Sequence, residues 1–120
     1  ALKANLLGLM LHAPPSADDL AVHLLESNAA AARLPNAAEL VLPDRLAKIL
    51  PRIAVPVDAI WGEFDRPHPD PALQEAVIRR THPRCDFRVI ADAGHWVMYE
   101  QPEAFDATLL DMLGDRGPAR

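Results

Sequence analysis

Residues 53–113 read strand, helix, strand, helix, and that order leaves few folds open to the chain. Residues 55–61 form a short apolar run with β-branched character, as expected of a strand buried on both faces. After a proline-rich loop, Asp70 is placed to cap a helix with Pro71 in its first position. Leu73, Val77 and Ile78 are predicted to form that helix's inner face. Residues 86–90 predict a second strand, with Phe87 and Val89 on one face and Arg88 and Ile90 on the other. Gln101-Pro102-Glu103 opens a last helix, whose Phe105, Leu109, Met112 and Leu113 recur at i, i+4, i+7 and i+8, and Gly114 closes it. A strand–helix–strand unit of this length implies parallel strands and a right-handed crossover. The expected fold class is therefore α/β. Two strands are few for a stable sheet.

Residues 1–50 read differently, as helices with no clear strand. Leu2, Leu6, Leu9 and Met10 fall on one helical face, and Pro14-Pro15 stop that helix. Ser16 is the expected cap of a second helix, with Asp18 and Asp19 in its electropositive first turn. That helix carries Leu20, Leu24 and Leu25 on its face and runs into the alanines before Pro35. A third helical segment, residues 43–50, is expected to bury Leu42, Leu46, Ile49 and Leu50. The division expected is a helical segment over residues 1–42 and an α/β segment over residues 43–120.

Composition narrows the function classes. A net charge of −5 with scattered arginines gives no electrostatic footprint for nucleic acid or anionic lipid. No apolar run approaches the ~20 residues that a membrane-spanning helix needs. The lone Cys85 excludes an internal disulfide and fits a reducing, cytoplasmic setting. The start, Ala1-Leu2-Lys3, lacks an initiator methionine and a signal-peptide pattern, and reads as the interior of a longer protein.

The chemistry concentrates in two runs, Ile60-Trp61-Gly62-Glu63-Phe64-Asp65 and Ala93-Gly94-His95-Trp96. Each is an apolar segment that breaks at glycine and then presents an ionisable side chain. Both follow predicted strands, so both belong at the carboxyl edge of the sheet, where open α/β folds form their sites. A carboxylate and an imidazole brought together there make the orienting half of a nucleophilic triad. Asp65 would fix the tautomer of His95, and His95 would act as general base. A turn aspartate and a structural histidine are the plain alternatives.

These residues resemble the last third of the α/β-hydrolase superfamily. Val55-Pro56, continuing to Ile60-Trp61-Gly62 and Asp65, is similar to the penultimate core strand and its triad acid. Asp92-Ala93-Gly94-His95-Trp96, continuing to Glu100, Pro102 and Phe105, is similar to the final strand, the triad histidine and the closing helix. By that resemblance, residues 1–42 are a helical cap segment and residues 43–120 the C-terminal part of the core. The Gly-His-Trp form resembles the carbon–carbon hydrolases of meta-cleavage pathways and also occurs in capped esterases. A cap arginine that binds a substrate carboxylate belongs with the former, and neither Lys3 nor Arg33 sits in a motif for it.

The superfamily's nucleophile stands in a Gly-x-Ser-x-Gly elbow. Serine occurs here only at Ser16 and Ser27, neither flanked by glycine, and Cys85 precedes a strand instead of following one. The chain would therefore supply Asp65 and His95 to an enzyme whose nucleophile lies elsewhere, and would be a poor catalyst alone. The expected reaction is serine-type hydrolysis of an ester, lactone or carbon–carbon bond in a small organic substrate, with no cofactor and no metal. A dehalogenase or epoxide hydrolase with an aspartate nucleophile fits equally absent machinery. A non-catalytic module that self-associates, or pairs with a missing N-terminal half through its bare strand edge, is the competing class.

The remaining polar residues carry less. Glu63 is a stand-in acid or a neighbour. Trp96 is a pocket wall or a core filler. Glu100 either accepts backbone N–H bonds in the histidine loop or is an exposed helix-entry carboxylate, and Asp92 offers the same choice. His68, between Pro67 and Pro69, would need further ligands to hold a metal with Asp65. His12 and His82 read as surface residues beside prolines, and His23 as solvated. Asp58 is costly at the start of a buried strand unless it reaches solvent or a partner.

Overall fold

Two parallel strands, β1 (Ala59–Gly62) and β2 (Phe87–Ile90), set the frame, with Ala59 opposite Phe87 and Gly62 opposite Ile90. The computed structural model describes residues 1–33 and 44–114. Its elements in order are α1 (Leu2–Asn5), a π-helical turn (Leu6–Met10), a 3-10 turn (Pro14–Ser16) and α2 (Asp19–Ala31). There follow α3 (Arg45–Ile49), a second 3-10 turn (Leu50–Arg52), β1, α4 (Pro71–Arg79), β2, α5 (Val97–Glu100) and α6 (Pro102–Gly114). The result is a mixed helix–strand arrangement whose parallel pair is a partial α/β sheet. No described helix is long and apolar enough to cross a membrane.

The first strand is shorter than its apolar run. Residues 55–58 do not pair, because Pro56 has no N–H to give to a ladder and Asp58 supplies a side-chain acceptor instead. Its carboxylate takes the Asp86 N–H at 3.0 Å, while Ala59 N–H donates to Asp86 O at 3.0 Å. Asp58 is thus partnered at the mouth of the strand pair. α4 starts as its sequence requires: Asp70 accepts the Leu73 N–H at 3.2 Å, and Pro71 takes the position where a missing donor costs nothing.

One local expectation is corrected: Ser16 ends the 3-10 turn and does not cap α2; Asp18 does, its carboxylate accepting the Ala21 N–H at 2.8 Å. The last helix opens at Pro102 and runs to Gly114 as expected, preceded by the short α5 that the sequence reading did not include. Gln101 (φ −132°, ψ 60°) breaks α5 from α6, and Pro102 cannot donate back across the break.

Among the described residues the core comprises two small clusters. Leu6, Leu11, Ala17 and Ala21 are buried together, with Trp96 and Tyr99 packed against them. Ile90, Ala93 and Val97 form the other, against Ile60 and Phe105. The predicted inner faces are largely uncovered: Leu20, Leu46, Leu73 and Leu113 are all more than half exposed, and only Leu50 and Met112 of the α3 and α6 faces are buried. Leu42 lies outside the described residues. An amphipathic helix buries its stripe only against another layer, and a two-stranded sheet offers little of one.

Candidate active site

Parallel pairing puts the loops after β1 and β2 side by side, and those loops carry the two motif side chains. His95 Nδ1 lies 2.8 Å from Asp65 Oδ2, although the residues are 30 apart in sequence. Asp65 is the buried charged residue of the described chain, 6% exposed, while the His95 side chain is 36% exposed. A hydrogen bond to a charged group contributes about 2 kcal/mol when geometry is good. This one fixes the ring as well: with Nδ1–H donated to the carboxylate, Nε2 is the basic nitrogen. Nε2 has no hydrogen-bond partner among the described residues.

Backbone contacts hold the pair. Asp65 Oδ1 accepts the His68 N–H at 2.8 Å, so both carboxylate oxygens are engaged. The Phe64 N–H donates to Ala93 O at 2.9 Å and the Glu63 N–H to Ile90 O at 3.0 Å, extending the strand pairing into the loops. Glu63 accepts the Asp92 N–H at 3.1 Å, which makes it a loop tie, and the carboxylate bonded to His95 is that of Asp65. Asp92 stands at φ 54° and thus turns the chain out of β2.

Glu100 makes the backbone bonds that were one of its two readings. Its carboxylate accepts the Gly94 N–H at 2.6 Å and the Ala13 N–H at 2.9 Å, with the His12 N–H shared between its oxygens at 2.9 and 3.0 Å. The Trp96 backbone N–H donates to Met10 O at 2.9 Å, and the Trp96 ring meets Tyr99 edge-on at 6.0 Å. The indole therefore packs into the N-terminal cluster. Tyr99 O–H donates to Asp18 Oδ1 at 2.6 Å. That bond holds the Asp18 carboxyl below its ordinary value, helped by the Ala21 N–H, and pushes the Tyr99 phenol up.

Two histidines read as surface residues, His12 and His82, are half-buried and partnered. The His12 ring stacks on Phe64 at 3.9 Å and 14°, and His82 Nε2 lies 3.0 Å from Ile53 O. His68 stacks over His95 at 5.5 Å, with its Nδ1 3.8 Å from Asp65 Oδ1. Asp65, His68 and His95 thus present ligand atoms within 4.8 Å of one another and are the described residues able to approach a metal ion together. An ion bound at His95 Nδ1 would have to displace the proton that joins it to Asp65.

An open cleft of about 430 Å³ lies beside Asp65, with His12, Phe64, Arg66 and Asp70 also in its walls. A larger hollow, about 720 Å³, lies at the opposite ends of the strands around Val55, Asp58, His82 and Cys85 and holds neither member of the pair. Ser16 and Ser27 make no hydrogen bond to His95; Ser27 Oγ lies 3.4 Å from His23 Nε2 instead. Burial pushes the Cys85 thiol up, with Asp58 adding to the effect, so the thiolate that nucleophilic chemistry needs is disfavoured.

No family model matches the chain. Among solved structures, a thermophilic esterase from Thermogutta terrifontis, in its malate-bound form, is similar at 36% identity and a TM-score of 0.50. The match covers 57% of this chain and 25% of the esterase, so the chain aligns with about a quarter of that protein's length. The likeness points to hydrolase-type enzymes and an α/β-hydrolase-like fold.

Proposed function

We propose that this chain supplies the acid and the histidine of a serine-type α/β-fold hydrolase acting on an ester, lactone or carbon–carbon bond of a small substrate. The observation that carries the reading is the buried Asp65 carboxylate bonded to His95 Nδ1, with Nε2 left to take a proton. In the complete site a serine hydroxyl attacks the substrate carbonyl as His95 Nε2 accepts its proton. The imidazolium, stabilised by Asp65, then protonates the leaving group, and water repeats the sequence on the acyl enzyme. The esterase likeness favours an ester over a carbon–carbon bond. Residues 1–42 would be the cap segment and residues 43–120 the end of the core, with Trp96 at their junction.

The test is hydrolysis of p-nitrophenyl acetate and butyrate by an enzyme that joins this chain to a nucleophile-bearing segment. His95→Gln and Asp65→Asn should each lower kcat by roughly 10⁴-fold with KM little changed. Turnover that survives either substitution would sink the reading.

A second reading rests on exposed apolar surface. Val89 on β2 and Leu110 and Leu113 on α6 are uncovered, as is Val55 ahead of β1, and exposed apolar surface can mark an association face. The chain would then pair through its sheet edge with a second copy or a complementary segment. Sedimentation of the isolated chain separates the two: concentration-dependent self-association unaffected by His95→Gln supports pairing, and a monomer at all concentrations rejects it.

A further inference from the structure

His95 is bracketed by two ties, and both lead to the same remote segment. On one side the Gly94 N–H donates to Glu100 Oε2; on the other the Trp96 N–H donates to Met10 O. Glu100 also takes the N–H groups of His12 and Ala13. Four hydrogen bonds from three donors thus fill the acceptor sites of one carboxylate, and two of those donors stand more than 80 residues away in sequence. We propose that Glu100 is a positioning residue that couples the segment at residues 10–13 to His95, so that the imidazole's register on Asp65 depends on where that segment sits. This rests on reading Asp65 and His95 as a hydrogen-bonded acid–base pair.

The packing admits little slack. A Cβ on Gly94 would lie 2.9 Å from both His12 N and Met10 O, so the histidine loop runs in direct backbone contact with the segment. A shift of residues 10–13 is transmitted through Glu100 to the residue preceding His95. The His12 ring, stacked on Phe64 in the wall of the cleft beside Asp65, gives a bound substrate a way to press on that segment. Tyr99 makes a separate tie to Asp18, one turn further along, that does not touch the backbone around His95.

Glu100→Gln is the discriminating variant, because it keeps shape but has one acceptor oxygen. It can retain the Ala13 bond or the Gly94 bond, and not both. The readout is the His95 Nδ1–H resonance, followed in protein labelled with ¹⁵N-histidine, with amide exchange measured alongside. In Glu100→Gln that resonance should move or broaden, and either Gly94 or Ala13 should exchange roughly ten-fold faster, the loss of one hydrogen bond. Tyr99→Phe should leave the resonance in place. An unchanged His95 signal in a folded, merely less stable Glu100→Gln overturns the proposal.

Should Glu100→Gln fail to fold, wild-type exchange decides. One common protection factor for the His12, Ala13 and Gly94 amides supports a single fastening, and three unrelated protection factors reject it. Asp65→Asn keeps the two readings apart: if it leaves the His95 resonance unaltered, the acid–base pair fails, and the fastening by Glu100 is still judged by the amide protection factors.

Discussion

Gly62 and Gly94 meet backbone to backbone: a Cβ on Gly62 would lie 2.1 Å from Gly94 O and 2.7 Å from Ala93 O. The glycine that ends β1 is therefore the point where the loop after β2 crosses it, and the crossing brings Asp65 under His95. Each motif needs its glycine to let two chains approach.

Gly62→Ala should consequently destabilise by about 3 kcal/mol, the upper range for overpacking against atoms that cannot rotate away. It should also part Asp65 from His95, because relief requires the histidine loop to move. Gly8→Ala is the control, since nothing lies within 4 Å of its Cβ position. Urea denaturation of the two variants should show a large loss for the first and none for the second.

Leu6 is fully buried at the centre of the N-terminal cluster, against which Trp96 packs. Leu6→Ala should cost about 3 kcal/mol through lost burial and the cavity left behind. The indole environment should loosen in parallel, so the fluorescence of a Trp61→Phe background, which isolates Trp96, should shift to the red. A loss of stability with unchanged Trp96 emission would separate the cluster from the histidine loop.

The strand pair and its loops were legible because their signals are local. A short apolar run that stops at glycine defines a strand end, and an aspartate followed by proline defines the start of α4. The strand is shorter than its apolar run because Pro56 and Asp58 interrupt the ladder, an effect of one missing donor and one competing acceptor. Ser16 and Asp18 are both competent caps, and only the geometry around Ala21 chooses between them. Partnerships across 80 or more residues had no local signature: Tyr99 with Asp18 and Glu100 with His12 are products of packing. Phe64 sat inside a recognised motif, yet its stacking on His12 required the two segments to be placed first. Proline-flanked His68 is exposed, and its backbone N–H is the second donor to Asp65, a contact with no signature in the sequence.

The Tyr99–Asp18 bond makes a pH prediction. Asp18 has a lowered pKa in the folded chain, chiefly because Tyr99 donates to it. A depressed carboxyl adds stability that is present above its unfolded value, about 3.9, and is lost as pH falls through the folded value. Tyr99 carries the opposite sign: its raised pKa adds stability below about 10 that is lost as pH climbs through the folded value. Tyr99→Phe should therefore flatten the stability profile at both ends. Thermal melts from pH 2.5 to 11 check this, and a profile with unaltered limbs would show that the bond contributes nothing.

On the proposed hydrolase reading, the nature of the nucleophile can be tested through His95. A serine hydroxyl must lose its proton to attack, so without the imidazole the first step fails and no covalent enzyme forms. An aspartate nucleophile is already ionised. It attacks an alkyl halide, expelling halide, or an epoxide, whose opened oxygen takes a proton from an acid. Neither attack needs help from the imidazole, and the histidine is needed only to activate the water that releases the ester. In an enzyme assembled around this chain, His95→Gln should accordingly give no mass adduct with a p-nitrophenyl ester. Accumulation of a stable alkyl adduct with a haloalkane or epoxide would instead establish the aspartate chemistry. Intact-protein mass spectrometry distinguishes the two in a single incubation. The serine reading predicts the parent mass, together with a fall in ester turnover of roughly 10⁴-fold or more.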